Sequence, residues 1–215
     1  LPIYAVITIS SLDQTALVKS GFASENINHV PHGVKEAFLD SPEYEDSDFI
    51  LHVSKCSSHK NPEAIIEVGK RLDVPLKIAG GGWKENYGCE LDEIENVDVL
   101  GYVPEKRLIE LYCSALVFYF PSIYEPFGLP ILESMACGTP VVASVNSAAP
   151  DICEECITLI DPEQVDQHLN AIRWLLNDDQ LRAERGQQAR ETAKSFTWLR
   201  TASLTLNIYE QIVTT

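Results

Sequence analysis

The stretch that most constrains the fold runs from Phe118 to Ala143, FYFPSIYEPFGLPILESMACGTPVVA. Leu116 to Phe120 is a continuous apolar run of strand length, and Val141, Val142 and Ala143 form a second. Strands with no polar alternation are buried on both faces, as in a parallel sheet covered by helices. Between the two runs, Gly128 and Pro130 fit a helix start, because a proline in the first turn gives up an N–H that has no partner there. Leu129, Leu132 and Ala136 recur at helical spacing and are expected to form its buried face. Gly138 fits the left-handed cap that ends the helix, and Pro140 prevents continuation. The segment is a strand–loop–helix–strand unit whose helix N-terminus opens at the carboxyl end of a parallel strand. That is where an open α/β sheet binds ligands.

Glu125 in the loop and Glu133 on the helix have seven residues between them. A carboxylate accepts two hydrogen bonds at once, so each suits a pair of neighbouring sugar hydroxyls. The free N–H groups around Phe127, Gly128 and Leu129 suit an anion such as a diphosphate. A ligand with hydroxyls at both ends and phosphates between them is a nucleotide sugar. Taken singly, either glutamate reads as a solvated charge on an ordinary crossover helix.

Taken together, SIYEPFGLPILESMACGTPVVAS closely resembles the donor-site signature of the retaining GT-B glycosyltransferases, family 4 (group 1). In that family two glutamates frame a Phe-Gly-Leu turn, followed by Ala-Cys-Gly-Thr-Pro-Val-Val-Ala. A match this long and ungapped is far more specific than a lone glycine motif. It implies an α/β fold, a doubly wound parallel sheet of Rossmann type forming the C-terminal half of a GT-B enzyme. It also implies transfer of a hexose from a UDP-, GDP- or ADP-sugar with retention of configuration, with no further cofactor and no metal.

Composition narrows the alternatives. A net charge of −16, from 32 acidic and 16 basic residues, argues against nucleic acid, which needs a basic stripe, and against broad docking on anionic lipid. No apolar run approaches the roughly 20 residues of a membrane helix. Of the six cysteines, Cys113 and Cys137 fall in apolar helical patterns and read as buried thiols. Cys153-Glu-Glu-Cys156 has the spacing of a redox pair or half a metal site. No second Cys or His pair stands at ligand spacing, so ordinary thiols and a reducing cytoplasmic setting are expected.

Ile3 to Ile9 reads as a buried strand, and Ser10 or Ser11 as the cap of a helix running to about Ser20. Pro31-His32-Gly33-Val34 resembles the family's interdomain hinge. By that resemblance Leu1 lies in mid-protein and the chain is a C-terminal fragment. Residues 1–33 would be a remnant of the N-terminal domain plus hinge, 34–198 the nucleotide-sugar-binding domain, and 199–215 a helix crossing back. A sugar or lipid-linked acceptor would bind through the missing domain. A dimer through the N-terminal strand or the C-terminal helix is expected.

Asp40 to Asp48 reads as an acidic connector, Phe49 to Val53 as the first strand, and Pro62 as the start of a helix reaching Leu72. Between strand and helix, Lys55 and Lys60 are placed to hold phosphates with the helix N–H groups. The family uses an arginine and a lysine here for the donor diphosphate; Lys55 stands where arginine is usual, and Ser54 where glycine is usual. Two glutamates beside a diphosphate repel it, so opposing cations are required, and the two lysines supply them. Leu76 to Ala79 is a strand ending in Gly80-Gly81-Gly82, either a phosphate cradle or a strand end. Asn96 to Leu100 is another, leading to Gly101. By resemblance, backbone near Val103 meets the nucleobase.

Glu105 to Ala115 is a helix, Thr158 to Ile160 a last strand, and 163–177, 179–194 and a terminal stretch with Leu204, Ile208 and Ile212 are helices. In the implied chemistry Lys55 and Lys60 neutralise the leaving diphosphate, Glu125 holds the sugar and Glu133 the ribose diol. Two other readings stand beside this one: a non-catalytic nucleotide-sugar-binding module, and half of a dinucleotide-dependent oxidoreductase. The second needs G-x-G-x-x-G after the first strand, where this chain has SKCSSHKN.

Overall fold

A computed structural model describes residues 5–42 and 47–214 of the chain. Six parallel strands make the main sheet: β3 (Ile50–Val53), β4 (Leu76–Ala79), β5 (Val97–Gly101), β6 (Val117–Phe120), β7 (Val141–Ser144) and β8 (Thr158–Ile160). Their order is β5-β4-β3-β6-β7-β8. The chain starts in the middle, winds outward one way, then returns and winds outward the other. Strand order therefore reverses between β3 and β6, which leaves a crevice at their carboxyl ends.

The alternation inside β6 shows why the sheet needs helices on both faces. Phe118 and Phe120 pack into one core with Leu51, Leu132, Met135 and Val141. Val117 and Tyr119 point the other way, into a second core with Ile50, Ile65, Trp83 and Leu169. All four β6 residues are fully buried, each large apolar side chain contributing about 1.5–3 kcal/mol. The first core is covered by α5 (Glu105–Ser114), α6 (Leu129–Ala136), α7 (Ala149–Cys153) and α9 (Asp179–Ala193); the second by α3 (Pro62–Arg71), α4 (Trp83–Leu91) and α8 (Val165–Leu176).

Before the sheet stand β1 (Val6–Thr8), α1 (Ser11–Lys19), β2 (Ile27–His29) and the single turn α2 (Glu36–Leu39). β1 and β2 pair in parallel as a separate two-stranded sheet. Ser10 caps α1 by accepting from the Asp13 N–H, as its sequence suggested. The expected strand from Ile3 to Ile9 is seen only as β1, since residues 1–4 lie outside the described part; so do residues 43–46 of the acidic connector. Beyond β2, the chain closes on itself: Val34 N–H bonds the Phe196 carbonyl, and a side chain at Gly33 would stand 2.2 Å from the Trp198 nitrogen. The last helix, α10 (Trp198–Thr214), buries Ile208 but leaves Leu199, Leu206, Tyr209 and Val213 exposed.

Two expectations need correction. Leu129 is not on the buried face of α6: it is 37% exposed, and Ile131, Leu132, Met135 and Ala136 do the packing. The helix begins at Leu129 in a left-handed turn, which swings its first residue outward. Cys153 and Cys156 are joined by a disulfide with a Cα–Cα distance of 5.5 Å. A turn after α7 folds the fourth residue back on the first. Three elements, β2, α2 and α4, were not anticipated at all.

Candidate functional site

The crevice at the switch point is built from the loops after β3, β6, β7 and β8. Asn61 is the hub. It is the sole described residue other than glycine with a positive φ, 62°, a conformation that asparagine tolerates better than most residues. Its side-chain amide donates to the carbonyls of Pro121 at 3.2 Å and Pro162 at 2.7 Å. Ile123 N–H bonds the His59 carbonyl at 2.9 Å, and Glu125 N–H bonds the Asn146 carbonyl at 3.0 Å. Four loops distant in sequence, those after β3, β6, β7 and β8, are thus tied into one wall.

On that wall Lys60 Nζ donates to Glu125 Oε2. The two side chains are 15% and 14% exposed, and the ammonium also lies 4.9 Å from the centre of the Phe120 ring. An ion pair so placed keeps both charges at the crevice while sheltering them from screening. Lys55 lies exposed five residues earlier on the same loop. Behind the loop, His52 is fully buried, with Nδ1 2.8 Å from the Tyr119 carbonyl and Nε2 2.7 Å from Ser54 Oγ. A carbonyl only accepts, so Nδ1 carries the proton and the Ser54 hydroxyl donates to Nε2. Burial, reinforced by the Lys60 charge, lowers His52 to about 4 and keeps it neutral. Trp83 Nε1 donates to the Ser54 carbonyl at 2.9 Å, and Gly80 approaches that carbonyl so closely that a Cβ would stand 2.0 Å from it.

Gly128 (φ 86°) turns the β6 loop into α6. A side chain there would meet Ile131 at 3.0 Å and Glu125 Cγ at 3.2 Å. Phe127 is buried beneath the turn, and the His32 ring meets its edge at 5.0 Å between centroids. Glu133, one helical turn further on, accepts from the Tyr112 hydroxyl at 3.0 Å. Burial raises its carboxyl above the ordinary value, against the Tyr112 hydrogen bond and the nearby Lys35, which lower it. Lys35 is itself paired with Glu105. Val103, partly buried against the first core, follows the left-handed turn at Gly101 (φ 68°).

Of the residues singled out from sequence, the fold brings Lys60 and Glu125 into contact and sets Gly128 against Glu125. Lys55 shares their loop. Glu133 and Val103 lie toward the α5 side, near Lys35 and Glu105, with no contact to the Lys60–Glu125 pair described. Sequence reasoning missed Asn61, Tyr112, His52 and His32. Asn61 could have been found, since an asparagine just before a helix-starting proline occupies a cap position. Tyr112 and Glu133 are 21 residues apart on different helices, and no local pattern marks such a pair. A cavity of about 500 Å³ bordered by Asn61 is lined by Glu63, Glu67, Glu90 and Glu163, with Lys70 as its one cation. That wall repels phosphate. Among the described residues no three His, Cys, Asp or Glu side chains are grouped for a metal ion.

Comparison with known proteins agrees with this geometry. The family model described as "Glycosyl transferases group 1" matches residues 34–192. O-antigen chain mannosyltransferase B of Escherichia coli is 32% identical over 173 residues, covering 75% of this chain and 45% of that protein. The MMP alpha-(1->4)-mannosyltransferase of Mycolicibacterium hassiacum is 27% identical over 222 aligned residues, covering 97% of this chain and 54% of that protein. The chain thus spans about half the length of these curated relatives. Among solved structures, HepE from Anabaena in complex with UDP and glucose has a TM-score of 0.83 at 20% identity, over 99% of this chain and 64% of that one. Sucrose-phosphate synthase from Thermosynechococcus elongatus gives 0.81 at 25% identity, over 98% and 58%. With its donor-type signature on a doubly wound six-stranded parallel sheet, the chain belongs to the group 1 glycosyl transferases and forms one half of their GT-B fold.

Proposed function

We propose that this chain is the donor-binding half of a retaining glycosyltransferase that moves a hexose from a nucleotide-diphosphate sugar to an acceptor. The observation that carries the reading is the meeting of Lys60 and Glu125 at the switch point, beside the Gly128 turn that opens α6. The ammonium would move onto the leaving diphosphate, where negative charge develops as the glycosidic bond breaks. Lys55 would add a second, mobile cation from the same loop. Glu125, released from Lys60, and the N–H groups near Phe127, Gly128 and Leu129 would hold the sugar. Glu133 would accept from the ribose diol, with Val103 backbone at the base. These glutamates position substrate and do not act as the acid/base pair of a glycoside hydrolase. Two lysines opposite the phosphates supply the countercharge for a metal-independent site.

The relatives support the class of reaction: two carry mannosyltransferase names, and HepE was solved with UDP and glucose. Residues 34–198 would be the donor domain, 1–33 a remnant and hinge, and 199–215 a helix returning to an N-terminal domain that holds a sugar or lipid-linked acceptor. The setting would be cytoplasmic, and this chain alone weakly active. The exposed apolar residues of α10 favour an interface there, so a dimer would be disrupted by Leu206→Glu in light scattering.

A thermal-shift and calorimetry panel of UDP-, GDP- and ADP-sugars tests the reading. One donor should raise the melting temperature, and Lys60→Met and Glu133→Gln should each abolish the shift while remaining folded. No shift with any nucleotide sugar would overturn it. A donor that binds, but is neither transferred nor hydrolysed by the full-length protein, would favour the non-catalytic module.

A further inference from the structure

Tyr112, in the last turn of α5, is fully buried and directs its hydroxyl at Glu133 Oε2, 3.0 Å away on α6. Its ring is wedged edge-on between Phe38 of α2, at 6.0 Å between centroids, and Phe118 of β6, at 5.3 Å. Its carbonyl accepts the hydroxyl of Thr139, itself buried just past the Gly138 turn that follows α6. A tyrosine held by its backbone and by both edges of its ring has little freedom to move its hydroxyl. It shares the core with the sheet and stands behind the glutamate.

Glu133 is different. It is only partly buried, and a glutamate side chain has three rotatable bonds. Freezing them at the moment of binding weakens affinity, whereas freezing them beforehand does not. Lys35, whose charge reaches Glu133, is exposed and paired with Glu105, so the Tyr112 hydroxyl is what fixes the carboxylate. It takes one acceptor position on Oε2 and leaves Oε1 and the other lone pair of Oε2 open. Burial, and after it the Glu133 charge, push the Tyr112 phenol up, so it keeps its proton and remains a donor.

We propose that Tyr112 is a positioning residue that sets Glu133 to read the 2′-hydroxyl of a ribonucleoside diphosphate, making the crevice selective for ribonucleotide over 2′-deoxyribonucleotide donors. An ionised carboxylate only accepts, so it needs a group that brings a proton. A ribose 2′-hydroxyl brings one. A 2′-deoxy sugar brings none and leaves a partly buried charge short of a donor. A 2′-phosphate brings negative charge and is repelled. Tyr112 does all of this through Glu133. The role rests on the donor-site reading, which supplies the ribose; the Tyr112 hydrogen bond supplies the selectivity.

Calorimetry of the full chain with UDP, GDP and ADP, and with the 2′-deoxy form of each, tests this. The parent should bind at least one ribonucleoside diphosphate, about tenfold more tightly than its 2′-deoxy form. Tyr112→Phe keeps the ring and its packing. It should bring that ratio down to about twofold by weakening the ribonucleotide, with the deoxynucleotide held as before. A tyrosine with a merely structural role would weaken both alike and leave the ratio unchanged, which would overturn the proposal. So would a parent that binds the two sugars equally. If Tyr112→Phe does not fold, Tyr112 replaced by 4-aminophenylalanine and by 4-methylphenylalanine makes the same comparison with the hydroxyl's volume filled. The first retains a donor and should keep the ratio; the second has none and should lose it. Equal ratios in those two proteins would sink the positioning role. If the parent binds none of the diphosphates, the donor-site reading itself fails. If it binds one with a ratio indifferent to Tyr112, that reading stands and the positioning role alone falls.

Discussion

Lys60 Nζ and Glu125 Oε2 meet across the seam between β3 and β6, joining loops 65 residues apart in the chain. The cation proposed for the donor phosphates and the carboxylate proposed for the sugar neutralise each other in this pair. A ligand carrying both groups can replace each half of the pair, which keeps a strongly acidic protein from presenting a bare carboxylate to a diphosphate.

Removing one partner strands the other. Lys60→Met and Glu125→Gln should each cost about 1–3 kcal/mol, between the limits for exposed and fully buried pairs. The double variant should recover part of the sum, with a coupling of about 0.5–3 kcal/mol. Urea melts of the four proteins measure this, and strictly additive losses would show that the contact is energetically empty.

Glu133 is held above the ordinary carboxylate range by burial. A raised folded value means that the native state binds the proton more tightly than the unfolded chain. Stability from this group is complete below the unfolded value of about 4.3 and is lost as pH rises through the folded value. Glu133→Gln should therefore be more stable than the parent at pH 7, by a margin that vanishes toward pH 4, while losing nucleotide-sugar affinity. Denaturant melts across that range check the sign.

His52 works in the opposite direction. Its fall from 6.5 to about 4 means that stability is lost as pH drops between those values, by roughly 3 kcal/mol for this fully buried group. Nitrogen-15 NMR of the imidazole should show a neutral ring protonated on Nδ1 from pH 7 down to near 4. A ring that titrates near 6.5 would contradict the burial described here.

Two glycines should separate fold from site. Gly138 (φ 80°) meets nothing closer than 3.7 Å, so Gly138→Ala should cost only the left-handed strain of about 1–2 kcal/mol and leave donor binding alone. Gly128 (φ 86°) adds clashes with Ile131 and Glu125. Gly128→Ala should cost more and also weaken the donor, as melts and calorimetry of the pair will show.

The six strands of the main sheet were legible in the chain, because their apolar runs need burial on both faces, and so were the ends of α6, because proline and glycine act on their own backbone. LVFYF and VVA gave β6 and β7, and Gly128, Pro130 and Gly138 bounded α6. Lys60 and Glu125 could be named as site residues from loop position and charge. The remainder depends on which loops become neighbours. The Lys60–Glu125 contact, the Asn61 bridge to Pro121 and Pro162, and the Tyr112 hydroxyl on Glu133 join residues 21 to 101 positions apart. The outward turn of Leu129 and the Cys153–Cys156 bond likewise follow from local backbone paths that spacing does not encode. Periodicity reports which face a residue presents, whereas strand order in the sheet decides what that face meets.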